Sequence, residues 1–254
     1  MTTSIIILTH DQLALTSKCL QSIREHTQDY ELIVVDNGST DGTVAYLNRQ
    51  PDVIVHINNE NLGFAKGCNQ GIELAKGENI LFLNNDTIVT EHWLDNMLSV
   101  LYENERVGMV GPVTNYSSGH HQIPVTYTDL SELDSFARQQ CEDNAGCYTD
   151  VRRLVGFCLL AKRSVLDEIG NFDETFGLGN YEDDDLCLRA LRSGYLLRVV
   201  HDSYIHHIGH ATMHHLQDTS LGVLLMQNSH RACEKWGRTY ISLFINLSLR
   251  SVCA

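Results

Sequence analysis

From Ile5 to Val110 the chain repeats one theme: a short β-branched run, a turn of small polar residues, then apolar residues at helical spacing. The runs Ile5–Leu8, Leu32–Val35, Val53–Ile57, Ile80–Leu83 and Val107–Val110 read as strands. Leu15, Cys19, Leu20 and Ile23 recur with helical period between the first two, and Gly63 to Ala75 and Trp93 to Tyr102 are the helices flanking the fourth. Such alternation implies parallel strands joined by crossovers, because a parallel neighbour cannot be reached through a hairpin. The expected fold class is α/β, a Rossmann-like, mostly parallel central sheet flanked by helices. With 254 residues, 43% of them hydrophobic, one domain over 1–254 can bury a full core.

Beyond Thr114 the periodicity weakens, and 114–150 reads as a polar excursion or acceptor-facing lid. Order returns with a buried-strand pattern at Leu154–Ala161, a short helix at Ser164–Ile169, a helix from Glu182 to about Gly194, and a strand at Leu196–Val200. Residues 1–113 and 114–254 thus read as two halves of one domain.

A formal charge of −14 argues against a nucleic-acid binder, which needs clustered Lys and Arg to neutralise phosphates. Any phosphate held here must be met by metal and backbone groups. Eight cysteines never form a CxxC pair, so reduced thiols and a cytoplasmic location are expected. Neither a basic leader nor an apolar run of spanning length is visible. The apolar stretch Tyr240–Leu249 reads as a core helix, or as a surface lying on a membrane or partner. The segment from Leu216 onward is a candidate for pairing subunits.

Four segments carry chemistry. In Val34-Val35-Asp36-Asn37-Gly38-Ser39-Thr40-Asp41-Gly42 an acid ends a strand, at the sheet edge where ligands bind in open α/β folds. Asp36 can accept from a base N–H or ribose hydroxyl; Ser39 to Gly42 form either a ligand turn or a plain one in which Asp41 caps a helix. Asn61-Leu62-Gly63-Phe64-Ala65-Lys66-Gly67-Cys68-Asn69 opens a helix with glycines and a cation, suited to an anion or to close helix packing. Leu81-Phe82-Leu83-Asn84-Asn85-Asp86-Thr87 delivers amides for nucleotide hydroxyls and, in Asp86, a hard oxygen ligand for Mg²⁺ or Mn²⁺. Tyr181-Glu182-Asp183-Asp184-Asp185 crowds four carboxylates into one helix start. The dipole favours one or two there, and mutual repulsion implies that others are engaged elsewhere, as in a tuned general base. Finally His201, His206, His207, His210, His214 and His215 cluster near the end of the chain. One or two can reach a metal at Asp86; the four-residue spacings also allow a separate zinc site, although Gly209 interrupts the helix that it would need.

In this order the segments resemble glycosyltransferase family 2 enzymes of the GT-A fold, from Ser4 to about Thr212, and most nearly the rhamnosyltransferase-like members. The resemblance rests on VVDNGSTDGT at 34–43, NLGFAKGCNQGI at 61–72, LFLNNDT at 81–87 and GNFDETFGLGNYEDDDLCLRALRSGY at 170–195. It implies that Thr9 and Asp11 meet the nucleotide, with Ser39, Gly63, Lys66 and Asn69 in the flanking donor motifs, and that Asp36 binds the base. Asn84, Asn85 and Asp86 occupy the DXD element, departing from it at Asn84, so metal binding rests on Asp86. Asp183, preceded by Glu182, matches the catalytic acid pair. A metal-completing histidine is implied at His206 or His207, with His206 preferred.

The activity implied is inverting transfer of a sugar from a UDP- or dTDP-sugar, with Mn²⁺ or Mg²⁺ on the diphosphate. Asp183 would take the proton of an acceptor on a glycan, lipid, natural product or peptide. Two alternatives stand beside it. A sugar nucleotidyltransferase would need a basic, glycine-rich signature where Thr9, His10 and Asp11 stand, and a non-catalytic nucleotide-sugar or metal-binding module would have no use for the acidic helix start.

Overall fold

The computed structural model describes residues 2–209, 218–237 and 250–252; His210, His214, His215 and the 240–249 stretch lie outside the described residues. The chain begins β1 (Thr3–Thr9), α1 (Leu13–His26), β2 (Tyr30–Asn37), α2 (Thr43–Leu47), β3 (Val53–Asn58), α3 (Phe64–Leu74) and β4 (Asn79–Asn84). It continues through β5 (Thr87–Val89), α4 (Trp93–Tyr102), β6 (Val107–Thr114), α5 (Leu133–Asp143), β7 (Tyr148–Val151), β8 (Cys158–Lys162) and α6 (Arg163–Ile169). Then come α7 (Glu182–Arg192), β9 (Leu196–His207), α8 (Asp218–Trp236) and β10 (Arg250–Val252).

One ten-stranded sheet runs β10-β7-β9-β6-β8-β4-β1-β2-β3, with β5 paired to β9. β3, β2, β1 and β4 are mutually parallel, and β8, inserted antiparallel between β4 and β6, leaves β6 and β9 running the same way as the first four. All of these therefore end on one edge. Both faces of β1 are covered, which explains its unbroken apolar run. Ile5 and Ile7 pack with Cys19 and Leu20 of α1, whereas Ile6 packs with Cys68 and Ile72 of α3.

The stretch 114–150 departs from the polar excursion read in the sequence. It holds α5 and the start of β7, and Tyr127, Leu133 and Ala137 are buried in the core. A single stripe, Leu133, Phe136 and Ala137, suffices to seat a helix against β9, and too few apolar residues surround it to give a clear period. The strand expected at 154–161 begins only at Cys158; Gly156 and Phe157 form a turn before it instead. β9 runs past Val200 to His207, because residues 205–207 pair with β5. Among the described residues no helix is long and apolar enough to cross a membrane.

Candidate active site

The ends of β1, β2 and β4, the approach to β8, and the turn entering α7 enclose a cleft of about 560 Å³. Of the residues expected from sequence, Thr9, Gly63, Asn84, Asn85, Glu182 and Asp183 line it, together with His207. Asp86, 4% exposed, lies directly behind His207. Asp11, Asp36, Ser39, Lys66, Asn69 and His206 do not form its wall.

Most of the β1 and β2 loop residues are bonded to one another. Thr9 Oγ1 and Thr16 Oγ1 share a hydrogen bond of 2.9 Å, and Asn85 Nδ2 donates to both, at 3.2 and 3.0 Å. Ser39 Oγ accepts from Asp11 N at 2.6 Å, and Asp11 Oδ1 accepts from Thr40 N at 2.6 Å. Asp41 accepts from the N–H of Leu13 and of Thr43, the first residues of α1 and α2, so its capping role is the observed one. Asp36, fully buried, accepts at Oδ1 from Gly38 N and Ser39 N, but its Oδ2 has no partner.

The glycines of α3 serve packing. A Cβ on Gly67 would lie 2.2 Å from Leu8 Cδ1, and one on Gly71 would lie 2.4 Å from Ile6 Cγ2. Gly63, at φ +88°, lets the turn before α7 approach: an added Cβ there would sit 2.2 Å from the Gly177 carbonyl oxygen. Lys66 is exposed on α3, away from the cleft, and Asn69 bonds Phe172 N, Phe172 O and Glu174 instead of facing a donor.

The Asp86 surroundings differ in kind. The β5–β9 pairing sets Thr87 opposite His207, and Ile208 N donates to Asp86 O at 2.9 Å, so the register brings His207 beside Asp86. His206, one residue away, faces the other side of the strand, where its Nδ1 bonds Tyr127 OH at 2.6 Å. Strand alternation thus places His207 beside Asp86, and not the His206 preferred from the sequence. The His207 ring stacks on Phe157, and its Nδ1 donates to the Tyr116 carbonyl at 2.8 Å. In the neutral ring Nε2 then carries a lone pair, 3.2 Å from Asp86 Oδ1, a buried oxygen with no hydrogen-bond donor. Two acceptors at that distance need a proton or a cation between them. Among the described residues no three His, Cys, Asp or Glu side chains are placed to hold a metal ion together, so a cation here would draw its remaining ligands from phosphate and water.

The four acids of α7 divide as their mutual repulsion suggested. Asp185 is tied to Arg189, Lys235 and Trp236. Asp184 pairs with Arg153, which also donates to Ser118 Oγ; burial and then Asp183 push its pKa up, and Arg153 pulls it back. Glu182 is buried beside Asp183, and burial first, then that neighbour, push its pKa up to about 8. Asp183 accepts only from Gly156 N and Asp184 N, each at 2.9 Å, leaving acceptor capacity toward the cleft. Arg153 and Gly156 escaped the sequence reading. Their one visible signal was a cation, in an acidic chain, just before an apolar run.

The Glycosyl transferase family 2 model matches residues 4–170. The chain belongs to that family. The match stops short of α7, so the acidic helix start lies beyond it. Glycosyltransferase AglE of Haloferax volcanii is 28% identical over 78% of this chain. The N-acetylglucosaminyl-diphospho-decaprenol L-rhamnosyltransferase of Mycobacterium tuberculosis is 27% identical over 71%, in keeping with the rhamnosyltransferase-like resemblance. The chain spans 64% of the length of AglE and 67% of the rhamnosyltransferase. Among solved structures, a mannosyltransferase from Pyrobaculum calidifontis in complex with GDP-Man and Mn²⁺ superposes with a TM-score of 0.67 at 20% identity, covering 91% of this chain and 64% of that one. GalNAc-T7 with UDP, GalNAc and Mn²⁺ gives 0.73 at 17%, covering 96% and 49%. The fold of this family 2 member is GT-A.

Proposed function

We propose that this family 2 member is an inverting, metal-dependent glycosyltransferase that moves a sugar from a uridine or thymidine diphosphate sugar to an acceptor, with Asp183 as general base and Asp86 with His207 as the protein ligands of Mn²⁺ or Mg²⁺. The observation that carries the reading is the convergence on one cleft of His207, backed by the unpartnered Asp86 oxygen, and Asp183 with its open lone pairs. When bound, the cation would neutralise charge on the leaving diphosphate.

The residues divide the rest of the work. Asp36 Oδ2, buried outside the cleft wall and without a hydrogen-bond partner among the described residues, would accept the imide N–H of a pyrimidine base once the β1 and β2 loops open to admit it. The Asn84 amide lines the cleft and bonds nothing among the described residues, which suits a ribose hydroxyl. Asp183 takes the acceptor proton as the acceptor oxygen attacks the anomeric carbon opposite the diphosphate, and a single displacement inverts that centre. Gly156 N and Asp184 N hold the carboxylate in one orientation for that transfer. Glu182, with its raised pKa, keeps its proton at neutral pH and so does not compete as base. A binding module without turnover would need neither this base nor its restraints.

The test is Mn²⁺-dependent thermal stabilisation by UDP and by dTDP, read alongside donor hydrolysis. Asp86→Ala and His207→Ala should each abolish the Mn²⁺-dependent part, and His206→Ala should retain it. Retention in the Asp86 variant would overturn the metal assignment.

A further inference from the structure

The proposed base sits on a helix whose entrance is a contorted turn. Gly177, Gly179, Asn180 and Tyr181 all take positive φ, at 66°, 145°, 71° and 77°, and two of these are not glycine. Such backbone persists only where its surroundings over-determine it. On one side the turn rests on α3, where Phe64 N donates to Leu178 O at 3.3 Å over the space left by Gly63. On the other side it rests on a single side chain. Asn228 of α8, fully buried, directs Nδ2 at the carbonyl oxygens of Phe176, Gly179 and Asn180, at 2.7, 2.8 and 3.1 Å. Because carbonyls only accept, the amide orientation is fixed by its partners; two hydrogens serve three acceptors, one of them shared. Arg231 Nη1 donates to Asn228 Oδ1 at 3.1 Å and holds the amide from behind.

We infer that Asn228 is a positioning residue for the reaction: it locks the 176–181 turn, and through it the entry of α7, so that Asp183 is presented to the cleft at a fixed place. The inference rests on the reading of Asp183 as base. Asn228 does not itself line the cleft, but Gly179 and Asn180, whose carbonyls it holds, do, as does Leu225, three residues earlier on α8. α8 is fastened to the molecule independently, by Trp236 Nε1 to Asp185 at 2.8 Å and by Lys235 to Asp173 at 2.6 Å. Removing the Asn228 amide should therefore loosen the turn without detaching the helix.

The experiment compares Asn228→Asp, which keeps the shape and loses the donors, with Asn228→Ala and Arg231→Ala. Both Asn228 variants should lower kcat for transfer by about 10- to 100-fold, the scale of a small misplacement of a reacting group. The Kd for UDP with Mn²⁺ should stay within about three-fold, because that ligand is held by other strand ends, and a role in packing alone would produce no such split. Amide hydrogen exchange should quicken at 177–183 and little elsewhere. Arg231→Ala, at an exposed position, should give a smaller loss of the same kind. Wild-type kcat in either Asn228 variant, or UDP affinity falling in step with kcat, would overturn the proposal. If the Asn228 variants do not fold, unchanged kcat and unchanged exchange at 177–183 in Arg231→Ala overturn it instead. Should the unaltered protein transfer no sugar, the functional reading falls by itself, and exchange at 177–183 still decides whether Asn228 holds the turn.

Discussion

Around the ends of β1 and β2 most polar side chains bond one another: Thr9 with Thr16 and Asn85, Asp11 with Ser39 and Thr40, and Asn58 with Asn37 and Gln70, with Asp36 Oδ2 the exception, left without a hydrogen-bond partner among the described residues. On the side built from residues 86, 182, 183 and 207, buried oxygens are left over: among the described residues Asp86 Oδ1 meets only the His207 ring and Glu182 Oε2 has no hydrogen-bond partner, and Asp183 accepts from two backbone N–H groups. A buried polar atom without a partner costs stability, so a fold keeps one chiefly where a ligand supplies what is missing. The first region is a frame that folding completes. On the proposed function the second is completed by substrate, and substitutions in the two should then separate stability from activity.

The largest separation is expected at Asp183. Asp183→Asn keeps the shape and removes the proton acceptor, but because Gly156 N bonds Oδ2 and Asp184 N bonds Oδ1, the single amide oxygen can accept from only one of them. We expect kcat to fall by about 10²- to 10⁴-fold with UDP affinity near that of the unaltered protein, and stability to fall by about 1–3 kcal/mol for the one backbone N–H left without its acceptor. Steady-state kinetics beside calorimetry would read both, and near-full activity would return Asp183 to the frame.

Next comes Glu182, where the unsatisfied region shows itself in stability. Its pKa stands near 8 in the folded chain, against the usual carboxylate value in the unfolded one. Between those values the unfolded chain has released the proton and the folded chain still holds it, so stability falls as pH rises through the window. Glu182→Gln cannot titrate. Its stability relative to the unaltered protein should therefore rise from pH 5 to pH 8, by on the order of 2 kcal/mol, as measured by urea unfolding at each pH. Parallel pH profiles would mean that Glu182 is ionised in the fold.

How much of this was legible follows the same division. The apolar runs announced β1, β2, β4 and β6, because strands buried on both faces leave continuous apolar signatures, and β3, an edge strand with Ile54 and Ile57 exposed, was announced by its β-branched residues. The acids at 86 and 183 were visible because a strand end and a helix start fix where they point. What escaped was pairing between distant segments. That β5 lies against β9, so that His207 and not His206 meets Asp86, is a matter of register, and adjacent histidines read alike in a sequence. Ser39, Lys66 and Asn69 sit in motifs that looked like donor contacts, but a motif does not reveal that the side chains of Ser39 and Asn69 bond neighbouring loops or that Lys66 points to solvent away from the cleft. Asn228 left no local trace, since its partners are carbonyls far away in the chain.

The smallest effect is expected at Ser39, and it bears most directly on the frame. The motif around it suggested a donor contact, whereas its Oγ accepts from Asp11 N and so joins the β1 loop to the β2 loop. The hydroxyl is only partly buried, and water can take over part of the bond when it is removed. Ser39→Ala should thus cost about 0.5–1.5 kcal/mol in urea unfolding, the net worth of one hydrogen bond, and leave UDP affinity and kcat within about two-fold. A loss of UDP affinity without loss of stability would place Ser39 on the ligand-completed side. In that case the hydrogen bond to Asp11 belongs to the empty cleft alone, and the β1 and β2 loops rearrange around the nucleotide.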